Sequence, residues 1–352
     1  MNPRLLNRRT LCAALRSTNS SFRPNTSRHL STTPVRFQRR AEQGRSFPEQ
    51  DTSTRDDAAS LPPSTAPPYP TTASTGGHLP RLQDKVAVIT GASSGLGRAI
   101  ALAYASHGAK LIVCADLRPA PSLGAEDEED AIVPTHELIN KKFGNGKAIF
   151  AKCDVGLPTD VKQAIDLAVS EGDGRMDIIV NNAGLGIKDR SIRVHEEDDD
   201  EFDKMMRVNL RGVYLGCKHA CAQFLKQGPD PSGRRGWIVN VASMLGYVGI
   251  TNGAAAYCAS KGAVLNMTRQ IAVDYAADRV HCNALCPGFT KTSMTRGNFT
   301  DPEVNASMAN TTPWGEWGNV TDVAKGAVFL ASDDAAWVTG VGLPVDGGYL
   351  AQ

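Results

Sequence analysis

The sequence has no long hydrophobic run. Nowhere in its 352 residues do about 18 apolar residues follow one another, the length a membrane-spanning helix requires. It also lacks a strong charge of either sign. Its 38 basic and 37 acidic residues give none of the excess positive charge that coats nucleic acid, and no nucleic-acid partner is expected. Eight cysteines are present, but none stands in a C-x-x-C pair, which removes the common zinc and dithiol signatures. Cys217, His219 and Cys221 cluster on one helical segment, with His219 on a different face from the two thiols. Packed, reduced thiols are expected there rather than a metal site. At 41% hydrophobic and 21% charged, the chain is too apolar for disorder throughout and too long for a minimal disulfide scaffold.

Acidic residues are missing from the start of the chain. The first is Glu42, and nine arginines precede it among Ser, Thr, Leu and Ala. Residues 1–84 carry a net charge of +6 and residues 85–352 one of −5. An Arg-rich, Ser-rich, acid-free segment reads as a mitochondrial transit-like leader, residues 1–41, with a stripe of Leu5, Leu6, Leu11, Ala14 and Leu15 along one helical face. A matrix location is therefore expected; the alternative is a basic tail on a cytoplasmic protein. Residues 42–81, with Pro62, Pro63, Pro67, Pro68 and Pro70 among Ser, Thr and Ala, read as a linker.

From residue 82 to 352 the texture is that of one folded domain. Val86-Ala87-Val88-Ile89 is a β-branched apolar run. Further strands are expected at Lys110–Ala115, Lys147–Cys153, Asp177–Asn181, Gly236–Ala242, Arg279–Leu285 and about Gly340–Asp346. Helical patterns fall at 96–103, 136–143, 158–171, 199–227, 254–277 and 321–332. Strands alternating with helices of this length imply right-handed crossovers, hence an α/β domain with a doubly wound, seven-stranded, mostly parallel sheet. The acidic run Glu196–Glu201 is expected to start a long helix, where its charge complements the dipole. The run Glu126–Asp130 reads as a solvated surface insertion.

Two constellations carry chemistry. After the first strand comes Thr90-Gly91-Ala92-Ser93-Ser94-Gly95-Leu96-Gly97, with glycines at G-x-x-x-G-x-G spacing. They permit a tight turn and close backbone approach to a pyrophosphate, which the following helix N-terminus would bind. Asp116 lies 25 residues past Gly91, at the end of the second strand. A carboxylate there binds ribose hydroxyls and repels a 2′-phosphate, so the expected cofactor is NAD rather than NADP. The second constellation is Tyr257 and Lys261, four apart and so on one helical face, with Ser243 ending the strand Trp237–Ala242. A phenol that takes a proton from an alcohol near neutral pH needs its pKa lowered from ~10 by about three units, or ~4 kcal/mol. An ammonium at ~4 Å and an effective dielectric near 20 would supply about that.

These motifs, in this order, resemble the short-chain dehydrogenase/reductase family over residues 84–350, in its single-domain branch of about 250 residues. The resemblance implies a Rossmann-like fold and adds further site residues. Asp154 and Val155 would hold adenine. Asn182, Ala183 and Gly184 would form the turn packed against the cofactor. Pro287, Gly288, Thr290 and Thr292 would contact the carboxamide. Asn209 would be a fourth catalytic position, ordering a water beside Lys261, and Ser243 would hold the substrate oxygen. Thr290 replaces a usual aliphatic residue and Glu316 a frequent basic one, which weakens any inference of substrate from close relatives. Met294, Phe299, Met308, Trp314 and Trp317 fall in a Gly/Pro-interrupted stretch, 289–319, where a mobile apolar lid is expected to use some of them.

The expected activity is interconversion of a secondary alcohol and a ketone, with a small-molecule substrate. The resemblance also implies a homotetramer or homodimer formed through the helices at 199–227 and 254–277. The alternatives are a 3-oxoacyl thioester reductase of mitochondrial lipid synthesis, which the negative domain charge does not favour, and a non-catalytic NAD-binding scaffold.

Overall fold

The short apolar runs pair side by side, and all but the edge strands are buried on both faces, as parallel strands under crossover helices are. A computed structural model of the chain describes residues 80–121, 132–189, 191–251 and 253–352. The leader and nearly all of the linker, like the Glu126–Asp130 run, lie outside the described residues. Seven strands, β1 (Val86–Thr90), β2 (Leu111–Asp116), β3 (Ala148–Lys152), β4 (Ile178–Asn181), β5 (Gly236–Val241), β6 (Val280–Pro287) and β7 (Gly342–Val345), form one sheet in the order β3-β2-β1-β4-β5-β6-β7. Every pairing is parallel.

Alternation along each strand feeds two cores. Val86 and Val88 point into one, Ala87 and Ile89 into the other, and Leu111 and Val113 likewise alternate with Ile112 and Cys114. The first core is covered by α3 (Pro158–Glu171), α5 (Gly212–Lys226) and α6 (Ala255–Asp274). The second lies under α1 (Gly95–Ser106), α2 (Thr135–Phe143) and α9 (Val320–Leu330). Leu82 is already fully buried in that second core, so the fold takes hold of the chain there. Cys217 and Cys221 are packed in the first core, and burial pushes the Cys221 thiol up to about 12.

The helix expected over 199–227 is not one helix. It is α4 (Asp199–Met206), a wide π-type turn at Arg207–Arg211, and then α5. The apolar period on either side is nearly unchanged, so a pattern of apolar positions could not reveal one extra residue in the turn. The Glu196–Glu201 run does open a helix, but the short α4 rather than a long one. Asp198 caps α4, its carboxylate accepting from Asp200 N and Glu201 N, and three acids follow in the first turn.

The 289–319 stretch is more structured than a loop. It contains α7 (Arg296–Thr300) and α8 (Pro302–Asn310), and Thr290 bridges to Gly318 at its base. Met308 and Trp317 are buried while Met294 and Trp314 are exposed, so the first two are anchors and only the latter are free to serve as cover.

Gly216 of α5 faces Asn181, where a Cβ would collide with Oδ1. Asn181 is itself fixed by donating to Asn240 Oδ1 at 2.8 Å. In an exposed helix Gly→Ala would stabilise by about 1 kcal/mol. Here Gly216→Ala is expected to destabilise by about 1–3 kcal/mol in urea unfolding, as overpacking of a buried site does. Unchanged or higher stability would show that α5 can move off the sheet.

Candidate active site

The strand order turns back on itself between β1 and β4, and in an open parallel sheet ligands bind outside the carboxyl ends at such a point. A cavity of about 420 Å³ opens there. It runs from Gly91 and Asp116 past Asn182 and Ser243 to Tyr257, Lys261 and Pro287. Its floor is stitched by Thr90, whose hydroxyl accepts from Asn182 N at 2.9 Å and Ala183 N at 3.1 Å. Asn182 returns the contact, donating through Nδ2 to Thr90 O at 2.9 Å.

At the β1–β2 end the glycine turn has the conformation its sequence implies. Gly91 and Gly95 take φ of +66° and +54°, a region that favours glycine. The α1 N-cap, Ser94, makes no side-chain capping bond, and the first turn of α1 holds no acid. The contrast with the capped, acidic start of α4 is direct: the α1 amides are left for an anion. Asp116 accepts from Ser93 N at 3.0 Å and Leu117 N at 2.7 Å, so the carboxylate is held at the cleft margin with lone pairs to spare. A dinucleotide fits this cradle: bare helix amides for a diphosphate, and a braced carboxylate for ribose hydroxyls.

Most residues expected to bind it do line the cavity: Gly91, Ser94, Gly95, Leu96, Asp116, Asp154, Val155, Asn182, Ala183 and Gly184, with Pro287, Gly288, Thr290 and Thr292 on the opposite wall. Thr292 reaches back across the opening, its Cβ 3.6 Å from where a Gly95 Cβ would lie. Two do not line it. Ser93 is buried and donates its hydroxyl to Arg118 O at 2.7 Å, so it braces the turn instead. Gly97 faces inward, where a Cβ would strike Gly91 O.

At the β5 end, Ser243 is buried and accepts from Leu245 N at 3.1 Å. Tyr257 and Lys261 project from α6 into the same cavity. Burial pushes the Tyr257 phenol up, and a hydrogen bond with Ser243 opposes that in part. Lys261 is 5% exposed, donates to Val241 O at 2.8 Å, and is pushed down to about 8 by burial. Its Nζ sits 5.7 Å from the Tyr257 ring centroid. The residues meet as expected, and in the protein alone burial pushes the phenol up and the amine down. Both groups are desolvated, which favours the neutral forms, and the amine spends a hydrogen bond on the sheet.

Asn209 is fully buried in the π-type turn and does not line the cavity. Its Oδ1 accepts from Leu185 N at 2.7 Å and its Nδ2 donates to Leu185 O at 2.9 Å. Gly184 lies between it and Lys261: a Cβ there would be 3.3 Å from Asn209 Oδ1 and 3.7 Å from Lys261 Nζ. Sequence reasoning missed Thr90, Leu117, Lys204 and Arg207, while Met294, expected in the lid stretch, does line the cavity. Thr90 had a visible signal, a hydroxyl ending an apolar strand. Arg207 and Lys204 had none, because only the broken helix turns them to the cleft. Among the described residues no group of three or more His, Cys, Asp or Glu is placed to hold a metal.

The family described as Enoyl-(Acyl carrier protein) reductase matches residues 91–350. The chain is 38% identical to 2-(R)-hydroxypropyl-CoM dehydrogenase of Xanthobacter autotrophicus, over 76% of this chain and 99% of that protein. It is 36% identical to 3beta-hydroxysteroid dehydrogenase 2 of Eggerthella lenta, over 78% and 98%. A crystal structure from Agrobacterium tumefaciens, provisionally a 2-deoxy-d-gluconate 3-dehydrogenase with bound NADP, superposes with a TM-score of 0.64 at 34% identity, covering 77% of this chain and 98% of that one. With the parallel seven-stranded sheet and the crevice at its switch point, these likenesses settle the family: the chain is a short-chain dehydrogenase/reductase, an oxidoreductase of the class that acts on CH–OH groups.

Proposed function

We propose that the protein is an NAD-dependent dehydrogenase/reductase that interconverts a secondary alcohol and a ketone, with Tyr257 as the general acid/base. The observation that carries this reading is the convergence of Ser243, Tyr257 and a buried Lys261 on one cavity beside the glycine turn. The names of the relatives, dehydrogenases of hydroxypropyl-CoM and of a hydroxysteroid, support the alcohol/ketone class. Asp116 supports NAD, since a 2′-phosphate beside its braced carboxylate would be repelled; the relative with bound NADP makes that preference the part most in need of a test.

The residue roles follow from the site. Gly91, Gly95 and Leu96 give the dinucleotide a close backbone floor. When bound, the dinucleotide supplies the carbon that accepts or gives hydride and, oxidised, a positive charge near the phenol. Ser243 donates to the substrate oxygen and keeps it within reach of Tyr257. Tyr257, held neutral by burial, is ready to give a proton to a carbonyl oxygen; in the opposite direction its oxygen takes the alcohol proton. Lys261 stays within the Val241 carbonyl contact, and Asn209 fixes the Leu185 backbone on the far side of Gly184. Exposed Tyr214, Leu225 and Val273 on α5 and α6 support association through those helices. The arginine-rich, acid-free start supports mitochondrial import.

Tyr257→Phe removes the proton carrier and keeps the ring. Turnover is expected to fall 10²–10⁴-fold, with the NADH dissociation constant unchanged in a fluorescence titration; retained turnover would end the assignment. Asp116→Ala is expected to narrow the preference for NAD over NADP, read as the ratio of the two kcat/KM values. An unaltered ratio would remove Asp116 from that role.

A further inference from the structure

The loop after β3 is gripped by a single turn of helix. Arg207 and Arg211 stand two residues to either side of Asn209 in the π-type turn. Arg207 donates through Nη1 to Asp154 Oδ1 at 3.3 Å and through Nη2 to Asp154 Oδ2 at 3.0 Å. Arg211 donates to Gly156 O. A Cβ on Gly156 would strike the Arg207 guanidinium, so the absence of a side chain there lets the fork lie over the loop. Gly156 N adds a bond to Asp154 Oδ1 at 2.8 Å. Oδ1 therefore accepts twice and Oδ2 once, which leaves Oδ2 a lone pair to spare, and Asp154 lines the cavity.

Stability does not account for this arrangement. The Arg207 and Asp154 side chains are 45% and 26% exposed, and ion pairs that open to water add little to folding. What a two-pronged guanidinium adds is geometry: it fixes the plane of a carboxylate, as a lysine or a glutamine cannot. Burial would raise the Asp154 carboxyl, but the Arg207 and Gly156 hydrogen bonds more than offset it, so the group sits below the usual carboxylate range and stays an acceptor.

We propose that Arg207 is a positioning residue for base selectivity: it locks Asp154 so that its free lone pair meets an exocyclic amino group, such as adenine carries, and rejects a base with a carbonyl in that place. The proposal rests on the reading that the dinucleotide occupies this cleft with its base at Asp154, and it adds that the selectivity is set from α4–α5 rather than by the loop alone.

Binding of NADH and of reduced nicotinamide hypoxanthine dinucleotide, in which a carbonyl replaces the amino group, distinguishes the possibilities. Dissociation constants are measured by fluorescence titration for the wild-type protein, Asp154→Asn, Arg207→Gln and Arg207→Lys. The wild type is expected to favour NADH by about tenfold or more, the worth of one charged hydrogen bond. Asp154→Asn and Arg207→Gln should both lose most of that preference, and Arg207→Lys should recover only part of it. If Arg207→Gln weakens both dinucleotides equally and keeps the full preference, Arg207 is merely structural and the proposal falls. If instead the wild type shows no preference and Asp154→Asn changes nothing, the base does not lie at Asp154, and the cofactor reading falls with it.

Discussion

A half-buried phenol and a buried amine side by side in one cleft set the terms for everything around them. Tyr257 is pushed above its ordinary range and Lys261 below its own, both by loss of water. Neither shift arises from the other group. A carbonyl at the end of β5 takes the amine, and Ser243 lines the cavity with the phenol. In the protein alone, loss of water favours the neutral phenol. A dinucleotide held by the glycine turn and Asp116 would, when oxidised, supply the positive charge that draws a proton to the phenol oxygen.

The scaffold holds this pair with few contacts, each made by a residue at an element's end. Thr90 and Asn182 tie β1 to β4 where the cleft begins. Asn240 of β5 links Asn181 of β4 to Thr268 of α6, a buried polar chain beneath the site. The π-type turn at Arg207–Arg211 faces two ways: its middle residue holds the Leu185 backbone near the reacting groups, and its arginines hold the loop of Asp154. Such wide turns are rare and concentrate at functional positions; here one extra residue allows neighbouring side chains to serve both ends of a long cavity.

Much of this was legible in the order of residues. Continuous β-branched runs separated by helical patterns specify a parallel sheet, and glycines after the first run mark the crevice; both depend on local rules that tertiary contacts reinforce. Asp116, Ser243, Tyr257 and Lys261 could be placed because strand ends and a four-residue helical spacing fix where side chains go. The broken helix could not be read, since inserting one residue between two amphipathic segments barely alters their apolar period. Ser93 was read as a cofactor contact because its spacing in the turn is right, yet backbone twist directs its hydroxyl to Arg118 O. The sign of the phenol shift was also hidden. Residue identity shows that a cation is near, whereas the cost of removing water depends on how completely the fold closes over both groups.

The most direct test is a spectroscopic titration of the Tyr257 phenol. The near-ultraviolet tyrosinate band is followed against pH, with and without saturating NAD⁺, and the same signal from Tyr257→Phe is subtracted. Ionisation above the ordinary tyrosine range in the protein alone, moving toward neutrality when NAD⁺ is added, is the predicted result. A phenol already acidic without the dinucleotide, or one that NAD⁺ leaves unmoved, would contradict the account.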